Sequence, residues 1–249
     1  MAKREVVGRY KGSVMGLLWS FLNPLFMLAV YTFVFSVVFK ARWTGTGDES
    51  RSEFAVILFA GMIVHSLFAE VLNRAPNLII SNANYVKKVI FPLEILPMVT
   101  LGAALFHAFV SLIVLTVAQL VIGGHVAWTI VFVPVIFIPL SILTLGLAWF
   151  LASLGVFLRD VGQTVGILMT VMLFLSPVFF PVTALPEKLR PFIMVNPLTF
   201  IIEQCRAVAI WGRYPDWTGL AAYTAMALVV AWLGYAWFQK TRRGFADVL

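Results

Sequence analysis

The sequence predicts an all-α integral membrane protein with six transmembrane helices, and three observations carry that prediction. Hydrophobic residues make up 61% of the 249 residues and charged residues 12%, against about 45–50% and about 25% in soluble domains. Residues 21–39, FLNPLFMLAVYTFVFSVVF, carry no charge. At about 1.5 Å per residue they are long enough to cross a hydrocarbon core of roughly 30 Å. Five later runs read similarly. Helices are the default reading, because backbone amides in lipid must be satisfied within their own segment, and the alternative, a barrel, would need many short alternating strands.

In chain order, the stretch 1–20, MAKREVVGRYKGSVMGLLWS, interleaves cations with apolar residues and lies along the membrane surface ahead of the first span. No short apolar region with a small-residue cleavage site precedes that span, so it reads as retained. The spans are expected at about 21–40, 54–73, 95–122, 129–157, 162–182 and 219–238. Trp19, Trp43, Trp128, Trp217 and Trp237 fall near their ends, as interfacial belts do. Ala148/Ala152 and Ala221/Ala225 have the four-residue spacing of close helix contacts.

Two connections are not simple loops. Residues 74–94, RAPNLIISNANYVKKVIFPLE, mix apolar residues with Asn82, Asn84, Lys87 and Lys88 between Pro76 and Pro92, which predicts a short amphipathic surface helix. Residues 181–206, PVTALPEKLRPFIMVNPLTFIIEQCR, are too apolar for a solvated loop. Pro181, Pro186, Pro191 and Pro197 forbid one continuous helix there. Two short re-entrant helices fit, the second starting after Asn196-Pro197. Backbone of that kind at membrane depth is buried in protein or lines a cavity. No soluble domain or internal repeat is visible, so 1–249 reads as one transmembrane domain.

Charge sets orientation. With both termini cytoplasmic, that side holds eleven of the 18 Lys and Arg residues and the other side seven, Arg206 among them. The seven are offset by six carboxylates, so the positive-inside bias favours cytoplasmic ends. The net charge of +7 sits beside apolar runs, where cations meet anionic membrane lipids, and this argues against nucleic acid.

Catalysis finds no support. There is no G-x-x-x-x-G-K-[ST] phosphate cradle, and no Gly-Lys pair occurs anywhere. The single Cys205 excludes an intrachain disulfide, and His65, His107 and His125 lie on separate segments without metal-ligand spacing. Glu70 has Arg74 at i+4, the pattern of a helix-surface pair. His107 is an ionisable residue near a span centre, either functional or a neutral imidazole bonded to a neighbouring helix. Asp160 beside Arg159 reads as a helix-end charge pair.

Arg9 and Lys11 admit two readings that do not exclude each other, a membrane anchor and a site for the phosphates of a lipid-linked substrate. Tyr31, Phe35 and Phe39 recur at i+4 on one helix face, either as a packed stripe or as a wall on which sugar rings slide.

RYKGSVMGLLWSFLNPLFMLAVYTFVFSVVF, NANYVKKVIFPLEILP, LFLSPVFFPVTALPEKLRPFIMVNPL and the ending RRGFADVL resemble the permease subunit of polysaccharide ABC exporters, over the whole chain. The resemblance implies a homodimer of six-span subunits carrying two separate ABC ATPase subunits, which bind the ATP and Mg²⁺; this chain itself takes no cofactor. It makes 1–20 an interface helix. It makes 78–91 the site of a coupling helix, with Asn84, Tyr85, Lys87 and Lys88 near the ATPase. Residues 183–206, with Pro186, Pro191, Asn196 and Pro197, become outer-side gate helices, and the first and fifth spans line the conduit. The implied substrate is an undecaprenyl-pyrophosphate-linked polysaccharide crossing the bacterial inner membrane, O-antigen first, with teichoic acid or capsular polysaccharide as the alternative. A polyprenyl-phosphate-dependent membrane glycosyltransferase is the distant rival. It would need acidic residues in a cytoplasmic loop, and Asp160 is nearly all these loops offer.

Overall fold

The computed structural model describes residues 5, 15–16, 18–34, 43, 51–87 and 91–249, with the backbone alone at 51–52 and 86–87. The described elements are α1 (Leu18–Tyr31), α2 (Arg51–Arg74), α3 (Ala83–Lys87), α4 (Ile95–Gly123), α5 (Val133–Phe157), α6 (Val161–Leu175), α7 (Arg190–Val195), α8 (Pro197–Ala209), α9 (Trp217–Thr241) and α10 (Phe245–Val248). Single 3₁₀ turns join several of them, and no strand occurs among the described residues. Four stretches, Glu53–Asn77, Ile95–Gly123, Trp128–Phe157 and Trp217–Val248, are long and apolar enough to cross a membrane. The chain is an all-α, multi-pass membrane protein.

Two apolar helices are shorter, Leu18–Val34 and Val161–Leu175. α1 begins inside the stretch expected as a surface helix. α6 differs from the expected span 162–182 because it stops at Leu175. Pro177 drives the preceding Ser176 to an extended conformation, φ −94° and ψ 151°. The 15 residues that remain cover about 22 Å at 1.5 Å each.

α2 is the central pillar. From Phe54 to Leu72 nearly every side chain is buried, as expected for a helix apolar on all faces. It packs on α4, α5, α6, α8 and α1. α4 and α9 expose apolar side chains instead, among them Phe109 and Val121, and Val229 and Trp232. Those faces suit contact with acyl chains.

α5 and α9 approach backbone to backbone. A Cβ on Gly234 would lie 2.1 Å from the Gly146 carbonyl oxygen, and one on Gly146 would lie 2.5 Å from the Ala231 Cα. The expected alanine pairs behave differently from one another: Ala148 and Ala152 are buried, whereas Ala221 and Ala225 are exposed. Glycine makes the close contact because it alone leaves room for the opposing backbone. Gly234→Leu is therefore expected to part the two helices, at a cost of at least about 1–3 kcal/mol from overpacking. A melting temperature in detergent equal to that of the wild type would contradict this contact.

The tryptophans divide in the same way. Trp128, Trp217 and Trp237 are exposed near helix ends, in keeping with a belt, but Trp43 is buried at 7% exposure. Its partner is a charged side chain in the interior.

Candidate functional site

Beyond the C-terminal end of α2 the chain does not run straight into another helix. It makes single turns at Ala75–Asn77 and Ile80–Asn82, followed by the five residues of α3. The reason lies in what the segment rests on. Pro76 sits against Gly155 of α5 so closely that a Cβ there would come 2.0 Å from the Pro76 carbonyl oxygen. The adjacent Leu78 and Ile79 both enter an apolar cluster with Leu93, Leu96, Trp149, Phe238 and Phe245. The backbone follows that surface and gives up a straight axis.

The end of the chain closes the same cluster. Arg242 donates to the Glu94 carboxylate at 2.9 Å and to the Phe91 carbonyl at 3.3 Å. Trp149 Nε1 donates to the Glu94 carbonyl at 3.0 Å. Phe245 is fully buried, with its ring 5.5 Å from Phe238 and 6.0 Å from Phe157. The RRGFADVL ending thus ties the connection between α2 and α4 to α5 and α9. Asn84 is exposed, and Tyr85 is half-buried and stacked on Phe91 at 4.8 Å. Lys87 ends α3, and Lys88 lies outside the described residues.

Between α1, α2 and α4 lies a cleft of ≈ 210 Å³ whose lining includes Asn23, Tyr31, Ser66, Glu70, His107 and Ser111. His107 Nδ1 is hydrogen-bonded to both oxygens of Glu70, at 3.0 and 3.1 Å. With Glu70 ionised the carboxylate can only accept, and the Nδ1 proton then lies in this bond. Arg74 is 4.0 Å from Glu70 and also pairs with Glu5. The pair read from i+4 spacing is therefore one link of a longer chain, Glu5–Arg74–Glu70–His107. Tyr31 is half-buried at this cleft; Phe35 and Phe39, like Arg9 and Lys11, fall outside the described residues.

At the N-terminal end of α2 stands the proline-broken segment. Pro186 accepts from Leu189 N–H at 2.9 Å, and Pro191 lies in the first turn of α7, where its missing N–H costs nothing. α7 buries no residue, whereas α8 buries eight of its thirteen. Asn196 caps α8, its Oδ1 accepting from Leu198 N–H at 2.9 Å, and Pro197 is the first helical residue. Thr129 and Gln119 donate to the Val208 and Ala209 carbonyls, satisfying acceptors that the end of α8 leaves open.

Arg206 of α8 is the residue that spacing did not reveal. It counted as an aqueous cation in the charge tally, yet its side chain is fully buried. Its guanidinium donates to the carbonyls of Ile57, Pro177 and Val178 and to the Glu203 carboxylate, and it stacks 4.3 Å from the Trp43 ring. A Cβ on Gly61 would come within 2.7 Å of it. A planar fork with five donors can serve these four acceptors at once, whereas the ammonium of a lysine has only three. The one signal in the sequence was a cation inside the apolar run LTFIIEQCRAVAI.

Among the described residues no group of three or more His, Cys, Asp or Glu could hold a metal ion.

The profile of the ABC-2 type transporter family matches residues 1–210. The O-antigen export system permease protein RfbA of Myxococcus xanthus is 28% identical over 99% of this chain and 93% of its own length. A protein of the same name from Klebsiella pneumoniae is 26% identical over the whole chain and 93% of its length. The polysialic acid transport protein KpsM of Escherichia coli is 21% identical over 95% of the chain and 90% of its length. The family implied by the quoted motifs is the family found. The chain belongs to the ABC-2 type transporters, as a membrane permease subunit whose ATPase is a separate polypeptide.

Proposed function

We propose that this chain is the permease half of an exporter that moves a lipid-linked polysaccharide, O-antigen first, from the cytoplasm to the outer face of the inner membrane. Full-length similarity to two O-antigen export permeases is the observation that carries the reading. Capsular polysaccharide is the second reading, supported by the relatives KpsM and the capsule polysaccharide export inner-membrane protein CtrC of Neisseria meningitidis.

In this reading two copies pair, each with six spans and both termini in the cytoplasm, and each copy seats one ATPase subunit that binds ATP and Mg²⁺. The C-terminal end of α2 then faces the cytoplasm. Residues 78–91 receive the ATPase through Asn84, Tyr85, Lys87 and Lys88, and the exposure of Asn84 suits that contact. Motion there reaches α5 and α9 through the Glu94–Arg242 pair and Phe245. Arg9 and Lys11 take the pyrophosphate, while Tyr31, Phe35 and Phe39 wall the sugar path. The hydroxyl and amide groups around the Tyr31 cleft suit sugar hydroxyls. Residues 183–206 close the exit at rest.

The reading is tested in cells that make the polymer. Loss of the chain should strand lipid-linked polymer on the cytoplasmic side, and the intact gene should restore its surface display. Polymer reaching the surface without this chain would refute the assignment. Lys87→Glu with Lys88→Glu should leave ATP hydrolysis running while surface polymer falls at least about tenfold, an opposed charge at the contact being worth at least 1.4 kcal/mol. Undiminished display in that double variant would remove the coupling role.

A further inference from the structure

The two short helices of the proline-broken segment differ in how they are held. α8 is anchored on all sides: Arg206 joins it to α2, Tyr223 Oη–H of α9 donates to the Pro197 carbonyl at 3.0 Å, and Gln119 and Thr129 hold its far end. From residue 179 to residue 195, by contrast, no residue is buried. That stretch keeps its own shape, with Arg190 donating to the carbonyls of Leu185 and Thr183, both at 3.1 Å, and it meets its neighbours near its two ends, where Phe179 packs on the core and the Ile193 carbonyl accepts from Thr199 Oγ1 of α8 at 2.6 Å.

The ends of the stretch meet. Asn196 Nδ2 donates to Ser176 Oγ at 2.9 Å and to the Leu175 carbonyl at 3.3 Å, while its Oδ1 caps α8. One amide thus performs two separable tasks. A surface loop with closed ends and its own internal bonds moves as one body more readily than the packed helix beside it.

Resting on the gate reading above, we propose that opening moves only the 179–195 flap, as one body pivoting on a Ser176–Asn196 clasp. α8 stays in place as the post that Arg206 fixes to α2. Asn196 and Ser176 are positioning residues in this scheme, and they set the resting closure without touching polymer.

Asn196→Ser separates the two tasks. Serine caps a helix about as well as asparagine but is too short to carry the amide donor across to Ser176. Ser176→Ala removes the other side of the same bond. The complex with its ATPase, in lipid nanodiscs without substrate, is read by amide hydrogen exchange; the same variants in planar bilayers are read by resting ion conductance. Each single variant should speed exchange across 179–195 by up to about tenfold, the scale of one hydrogen bond. α8 should exchange as in the wild type, resting conductance should rise, and the double variant should add nothing further. Exchange that rises equally in α8 and the flap, or in neither, would overturn the fixed post and the clasp. A loosened flap with unchanged conductance would overturn the gating role and the reading beneath it.

Discussion

Arg206→Leu is expected to lower stability by at least about 3 kcal/mol, the scale on which a buried charge network fails when one partner is removed. The loss comes from acceptors. The Pro177 and Val178 carbonyls and that of Ile57 lose this donor together, and a buried polar group left unmade costs about 1–3 kcal/mol. The Trp43 ring loses the cation above it as well. Thermal unfolding of the detergent-solubilised protein should begin around α8, with Arg206→Lys intermediate because an ammonium keeps the charge and loses the fork. Unfolding at the wild-type temperature would mean that the charge is solvated.

Phe245→Ala carries the second large effect. The ring is fully buried, and deletions of that size cost about 3–5 kcal/mol. The loss falls on the cluster that joins residues 78–96 to α5 and α9, so the rest of the fold should survive. With the ending loosened, ATP hydrolysis by the partner should persist while exported polymer per ATP drops several-fold. An unchanged ratio would show that the terminal contacts only tidy the end of the chain.

Much of the architecture was legible because it depends on local chemistry. The long spans follow from runs without charge, and the start of α8 follows from Asn196-Pro197, a cap residue beside the residue that tolerates the first helical position. The end of α6 was misjudged by composition, since LFLSPVFFP stays apolar while Pro177 stops the helix. The amphipathic segment after α2 was visible as a segment, but its shape follows from Gly155 and Phe245, residues 60 and more positions away.

The interior polar contacts were the hardest to read. Glu70 and His107 are 37 residues apart and meet only through the packing of α2 on α4. Arg206 and Trp43 each had an ordinary reading, outer-side cation and belt aromatic, and only their proximity contradicts both. Spacing within one helix cannot report a partner on another. A cation inside an apolar run is the sign that such a partner exists.

Everything turns on a membrane subunit whose work is driven by another polypeptide. Vesicles containing the purified chain, its ATPase and lipid-linked polymer on one face decide this directly. Polymer should become accessible on the far face when ATP is supplied and the ATPase is active, and should stay put when either is withheld. Translocation by this chain alone, without nucleotide or partner, would contradict the account.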